Sequence, residues 1–436
     1  MTAPHGAGRP AQPPRLRCRT IPLDRDPGDL LAAGGAAGFA WKGQAGELGG
    51  VGVAARVPVG TGPGRLERAA AAVAALLRAA DLDDPEGSGL GPLAVGALPF
   101  DAGRPGALTV PALLLRRGPD GGCWATATSA GDPPPAAALP AMAREALRAP
   151  RIGPGDGAGW PAARRADPPG EREAFQRGVR VALAEIAAGR LDKVVLARRA
   201  AAVAEWPFPR PALLARLRDR AAGGYLYASG RFVGASPELL VARSGRAASS
   251  RPMAGTAPRG AGSRADAEAL ARLAGSAKDA SEHRMVVDAV AGGLAKVADR
   301  VEVTAPEPVR LATVAHLASE VTATLSEPAP SALELAGLLH PTPAVAGAPR
   351  DAALAAIAAC EPFDRGAYAG PVGWVDAAGD GEWAVALRCA LLEGRGASLL
   401  AGAGIVAGSD PAAEWEESEH KLRAVLDVLL GGAGAS

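Results

Sequence analysis

Cysteine is scarce in this chain of 436 residues: four residues, Cys18, Cys123, Cys360 and Cys389, with no CxxC and no paired spacing. That scarcity argues against a disulfide frame or a cysteine zinc site and fits reduced thiols in the cytoplasm. An excess of either charge is missing as well. The chain carries 47 basic and 46 acidic residues and no long run of one sign, so no global field draws it to nucleic acid or to an anionic membrane surface. Long apolar runs are also absent. The uncharged stretch Leu30 to Trp41 is too short and too glycine-rich to cross a bilayer, and MTAPHGAGRPAQPPRLRC lacks the apolar core of a secretory signal. The expectation is a cytoplasmic protein without nucleic-acid or membrane partners. Aromatic residues make up only 4% of the chain, yet 48% of it is hydrophobic, enough for a sizeable core built largely from alanine.

What is present begins with organisation. The length allows two ordinary domains or one large one. Residues 1–15 are rich in Pro and Gly and read as a disordered tail. From 16 to 130, runs such as LAVGALPFD and LTVPALLLRR alternate with Gly/Pro turns, which reads as strands and connections. Residues 131–172 read as an irregular connection holding one short helix near 140–148. Beyond 173, helical spacing predicts helices at 173–188, 210–221, 264–296, 331–338, 349–359 and 413–430. Strand patterns fall at 193–201, 224–229, 231–235, 238–243, 370–376, 382–392 and 398–406. Strand runs joined by tight turns, with helices inserted, predict an α+β fold with mainly antiparallel sheets. No repeat of 20–50 residues is visible.

Several residues could carry chemistry. In RLDKVVLARRA, Lys193 enters a strand whose two faces are both apolar, so its amine is either buried or snorkelling to solvent from the strand end. Burial would lower its pKa toward neutrality and make the free amine a general base. Glu238, in RFVGASPELLV, sits between a turn and an apolar strand. It is either a glutamate facing water or a partly buried acid that stays protonated. Two carboxylate pairs lie at helical spacing: Asp279 with Glu282, and Glu414 with Glu417, the latter followed by Lys421 on the same face. Each pair reads as a solvated helix surface or as oxygen ligands for Mg²⁺. Arg388, in the apolar run WAVALRCALL, requires a carboxylate, from the protein or from a ligand. RPMAGTAPRG, with Thr256, and AGAGIV read as ligand-contacting segments, the small residues of the second permitting close backbone approach. His283, His316 and His340 have no metal-like spacing and read as hydrogen-bonding groups.

The order of these blocks supplies what no block does alone. LDKVVLAR, FVGASPELLV, RPMAGTAPRG, KDASEHRMVVD, VAHLASEV, LLHPTPAVAGAPR, EPFDRGAYAGPVGWVD, GDGEWAVALRCALL and AGAGIVAGSDPAAEWEESEHK resemble, in that order, the chorismate-utilising enzymes. That family comprises anthranilate synthase component I and the aminodeoxychorismate, isochorismate and salicylate synthases. The resemblance spans about 173–430, the catalytic chorismate-binding core, with a fainter match over 16–172. It implies one large domain from 16 to 436. Lys193 stands where the water-using members carry a lysine and anthranilate synthases carry glutamine. Pro252-Met-Ala-Gly-Thr256 lacks the lysine of aminodeoxychorismate synthases. The run GPVGWVDAAGDGEWAVALRCA is most similar to isochorismate synthases, and salicylate synthase is the alternative. Anthranilate synthase and a non-catalytic homologue stand behind both.

Residue by residue, the resemblance implies that Lys193 activates water at C2 of chorismate and Glu238 protonates the departing C4 hydroxyl. Glu282 and Glu417 are expected to bind Mg²⁺, with Asp279 and Glu414 reaching it through water. Arg388, Tyr368, the Gly402 backbone and Lys421 are expected to hold the enolpyruvyl carboxylate. Thr256 and His316 line the site, and Ala344 and Val345 shape its wall near the ring. The resemblance further implies a monomer that needs no glutaminase subunit. Menaquinone and siderophore assembly both remain open as the destination of the product.

Overall fold

The computed structural model describes residues 15–431 except 25, 149–158, 221–223, 261 and 312; the expected tail at 1–14 lies outside the described residues. Beyond 173 the helices and most of the predicted strands are present. Helix Glu171–Ala187 buries Phe175, Val179 and Ala182 at helical spacing, and strand Lys193–Ala204 follows it. Helix Ala332–Leu339 opens with a reciprocal cap between Ser331 and Glu334. Helix Pro411–Leu429 opens on Asp410, whose side chain accepts from the backbone N–H groups of Ala412 and Ala413.

The strands form a 13-stranded, a nine-stranded and a three-stranded sheet. Every pairing is antiparallel except that of Arg17–Pro22 with Asp81–Asp83. The N-terminal third is woven into both large sheets rather than set beside them. Phe39–Gly43 pairs with Tyr225–Ser229, Trp41 opposite Tyr227. Ala94–Ala97 pairs with Pro371–Val375, Val95 opposite Trp374. One continuous apolar cluster fills the space between, with Trp41 and Trp383 among its largest fully buried side chains.

The structure departs from the sequence reading in five places, the first being strands Ala247–Arg251, Ala298–Val303, Glu307–Arg310, Val314–Ala318 and Val321–Leu325, which the strand patterns did not include. The N-terminal third holds two helices beside its strands, Leu30–Ala37 and Arg65–Arg78; in the second, Leu66, Ala69, Ala70, Val73 and Leu77 make a buried stripe of mostly small residues. The helix expected over 264–296 is two, Ser263–Gly275 and Ala277–Leu294. Ser276 is extended between them and caps the second through its hydroxyl. The strand expected over 382–392 is also two, Gly381–Val385 in the nine-stranded sheet and Cys389–Glu393 in the 13-stranded one. Arg388 therefore lies at a crossing between sheets and not within a strand. RPMAGTAPRG, read as a loop, contributes strand Met253–Pro258 of the three-stranded sheet, with a register shift between Ala254 and Thr256. Among the described residues, no helix is long and apolar enough to cross a membrane. All four cysteines are unpaired.

Candidate active site

Lys193 opens its strand with 1% of its surface exposed. Its Nζ donates to Glu282 Oε1 at 2.8 Å, from helix Ala277–Leu294. Of the two readings of this lysine, snorkelling is excluded. The approach requires Gly404 on the neighbouring strand Gly396–Val406: a Cβ there would lie 2.9 Å from Glu282 Oε1 and 3.1 Å from Lys193 Cε. Glu282 is pulled both ways. Burial pushes its carboxyl up, but the charge and hydrogen bond of Lys193, with Lys421 and Lys278, outweigh it and hold the group below its usual range.

Glu238 occupies the turn between strands Phe232–Ser236 and Leu239–Ser244 and is 4% exposed. Burial raises its carboxyl to about 8 against the pull of Lys193 and Arg388. The acid is therefore mostly protonated at neutral pH, as an apolar setting dictates. Both side chains line one small cleft between the sheets. Thr256, His316, Ala344, Val345, Tyr368, Arg388, Gly402, Lys421 and Glu282 line it too, so the residues expected at the substrate converge.

Within the cleft, His316 and Arg388 order each other. His316 is driven to about 3, chiefly by burial with help from Arg388 and Lys421, and is neutral. Its Nδ1 lies 2.9 Å from the Gly255 carbonyl and its Nε2 3.3 Å from Arg388 Nη2. These partners assign the proton to Nδ1, leaving Nε2 to accept from the guanidinium. Arg388 makes no ion pair among the described residues, so its internal-bridge reading fails and its charge is open to a ligand. Lys421 Nζ donates to the Gly402 carbonyl at 3.0 Å and to Glu417 at 2.7 Å.

The expected metal ligands are arranged less directly. Asp279, Glu414 and Glu417 do not line the cleft. Among the described residues no group of three or more His, Cys, Asp or Glu side chains is placed to hold a metal ion. Glu282 and Glu417 are each held by a lysine instead. The donor chemistry nonetheless fits Mg²⁺, since carboxylate oxygens are what it takes. Glu414 is buried and its carboxyl raised to about 7 by burial and then by the charge of Glu417, a like-charge pressure that a divalent cation would relieve.

Behind the cleft wall lies a pair the sequence reading passed over. Glu361 and Arg365, each 3% exposed at the side chain, form a buried bridge. Glu361 also accepts the Ala197 N–H at 2.7 Å, while Arg365 donates to the carbonyls of Val195 and Val345 at 2.7 and 2.9 Å. The clasp ties the lysine strand to the Val345 wall. An i, i+4 acid–base spacing in EPFDRG was its only signal. Gly404 was signalled by the small residues of AGAGIV, without its reason.

A cleft offering a buried lysine, a protonated glutamate and an unpaired arginine suits acid–base work on an anionic small molecule. The comparisons say which family builds it. A model of chorismate binding enzymes matches residues 25–430. The chain belongs to the chorismate binding enzyme family. It is 41% identical over 271 residues to isochorismate synthase DhbC of Bacillus subtilis, covering 59% of this chain and 68% of that one. The putative isochorismate synthase MenF of Mycobacterium tuberculosis H37Rv is 40% identical over 366 residues, 78% of this chain and 87% of the relative. Among solved structures, MenF, the menaquinone-specific isochorismate synthase of Escherichia coli, superposes with a TM-score of 0.78 at 28% identity over 96% of this chain and 95% of that one. The α+β architecture is thus that of the chorismate-binding fold.

Proposed function

We propose that this chorismate binding enzyme is an isochorismate synthase, an isomerase that exchanges the C4 hydroxyl of chorismate for one at C2. The observation that supports this most is the pairing of a buried lysine and a buried, protonated glutamate across one cleft. The exchange needs both: Lys193 takes a proton from water as its oxygen bonds to C2, the ring double bonds shift, and the C4–O bond breaks. Glu238 delivers a proton to the leaving hydroxyl, which departs as water. Each such group is worth about 10²–10⁴ in rate.

Arg388, aimed by His316, takes the enolpyruvyl carboxylate, with Tyr368, the Gly402 backbone and Lys421 beside it. Thr256 lines the site, and Ala344 and Val345 face the ring. Glu282 and Glu417, with Asp279 and Glu414 through water, would hold Mg²⁺, which would draw charge from the ring carboxylate. A cation on Glu282 would compete for the carboxylate that now holds Lys193 and would leave its amine for the attacking water. We further infer a cytoplasmic monomer acting without a glutaminase subunit.

Incubation of the purified chain with chorismate and Mg²⁺, followed by chromatography, tests this. Isochorismate is the expected product. Salicylate with pyruvate makes it a salicylate synthase, anthranilate on adding ammonium makes it an anthranilate synthase, and binding without turnover makes it a non-catalytic homologue.

A further inference from the structure

Among the described residues two that are not glycine hold positive φ: Ala369 at 62° and Arg388 at 47°. Both line the cleft, and their segments are bonded to each other. The Ala369 N–H donates to the Ala386 carbonyl at 2.8 Å, and the Ala386 N–H to the Gly370 carbonyl at 2.8 Å. Backbone of this kind costs on the order of 1–3 kcal/mol per residue and persists where its surroundings over-determine it. At Arg388 the chain leaves the nine-stranded sheet for the 13-stranded one, so ladder bonds alone do not define the turn. Its carbonyls are held individually: Ala386 by Ala369, Arg388 by the Ala235 N–H at 3.0 Å, and Leu387 by the hydroxyl of Tyr227 at 2.9 Å.

Tyr227 is fully buried on strand Tyr225–Ser229 and reaches Leu387 by crossing the neighbouring strand at Gly234. A Cβ at Gly234 would stand 2.4 Å from the tyrosine oxygen, so a glycine there leaves the hydroxyl its path. Burial pushes the phenol well above its ordinary range and keeps it a donor. Nothing in the acid–base scheme uses this group.

We infer that Tyr227 is a positioning residue: through the Leu387 carbonyl it holds the left-handed turn that points Arg388 at the substrate carboxylate. The inference rests on the reading of Arg388 as the carboxylate anchor.

Tyr227→Phe removes only the hydroxyl. The expected result is a KM for chorismate raised about tenfold with kcat within about twofold, the fold intact by thermal melting. A residue important only for packing would move the melting temperature and leave KM alone. The same substitution in an Arg388→Ala background is expected to add nothing to KM, because the group it acts through is gone. Unchanged KM in Tyr227→Phe, with KM raised in Arg388→Ala, overturns the positioning role and leaves the anchor standing. Unchanged KM in Arg388→Ala overturns the anchor itself. Should the phenylalanine variant melt near the assay temperature, KM is measured at a lower temperature at which both proteins are folded, with the same two outcomes.

Discussion

Replacing Glu238 by glutamine should make the protein more stable as it makes it inactive, and the gain should depend on pH in one direction. The carboxyl titrates near 4.5 in an unfolded chain and at about 8 in the folded one. Between those values the folded state holds a proton that the unfolded state has released, so native stability falls as pH rises and levels off above about 8. Below about pH 4.5 the group contributes no penalty. At 1.36 kcal/mol per pH unit the full span amounts to about 5 kcal/mol, and about 3 kcal/mol of it is in force at pH 7. Glutamine keeps the shape and the polarity and does not titrate. Thermal or urea unfolding of both proteins from pH 5 to 9 should therefore show curves that diverge, the glutamine variant gaining steadily toward pH 8. In parallel, kcat/KM of the unaltered enzyme should fall as pH rises through the same region, because the acid form is the working one. A constant stability difference across that range would refute the argument that Glu238 is buried as a neutral acid.

Three further substitutions probe the same cleft. Lys193→Gln should still bind chorismate by calorimetry while turnover falls about 10²–10⁴-fold, and turnover near the original rate would remove Lys193 as the base. Gly404→Ala places a methyl against the ends of Lys193 and Glu282; kcat should fall at least about tenfold with little change in melting temperature, since flexible side-chain ends and not backbone must move. Arg365→Met leaves Glu361 buried and unpaired and should lower stability by about 3–5 kcal/mol in urea unfolding.

Lys193, Glu238 and Arg388 stood out because each is a charged residue in an apolar setting, and such residues demand a reason. Short apolar runs bounded by turn signals, such as the start of Lys193–Ala204, and helices with a capped amphipathic face, such as Pro411–Leu429, were read from local pattern alone. What local pattern does not carry is a change of partner. Val385 to Cys389 is apolar apart from Arg388, yet the chain changes sheets inside it at that residue, because the neighbours on either side come from distant segments. Helix Arg65–Arg78 was missed although Leu66, Val73 and Leu77 mark one face at helical spacing, a pattern that the surrounding Gly/Pro turns and strand-like runs obscured. The Glu361–Arg365 clasp was hidden for another reason: its meaning lies in the carbonyls it reaches, and backbone leaves no mark in a sequence.

The placing of the first strands has a consequence for how the molecule is made. Trp41 finds its partner at Tyr227, and Val95 finds its own at Trp374. As the chain leaves the ribosome, both early strands must wait with open edges until segments nearly two hundred and nearly three hundred residues later have been synthesised. Lys421, from the last helix, completes the cleft. A chain cut short before Lys421 therefore has an incomplete cleft, and one cut short before Trp374 also has an unpaired strand edge.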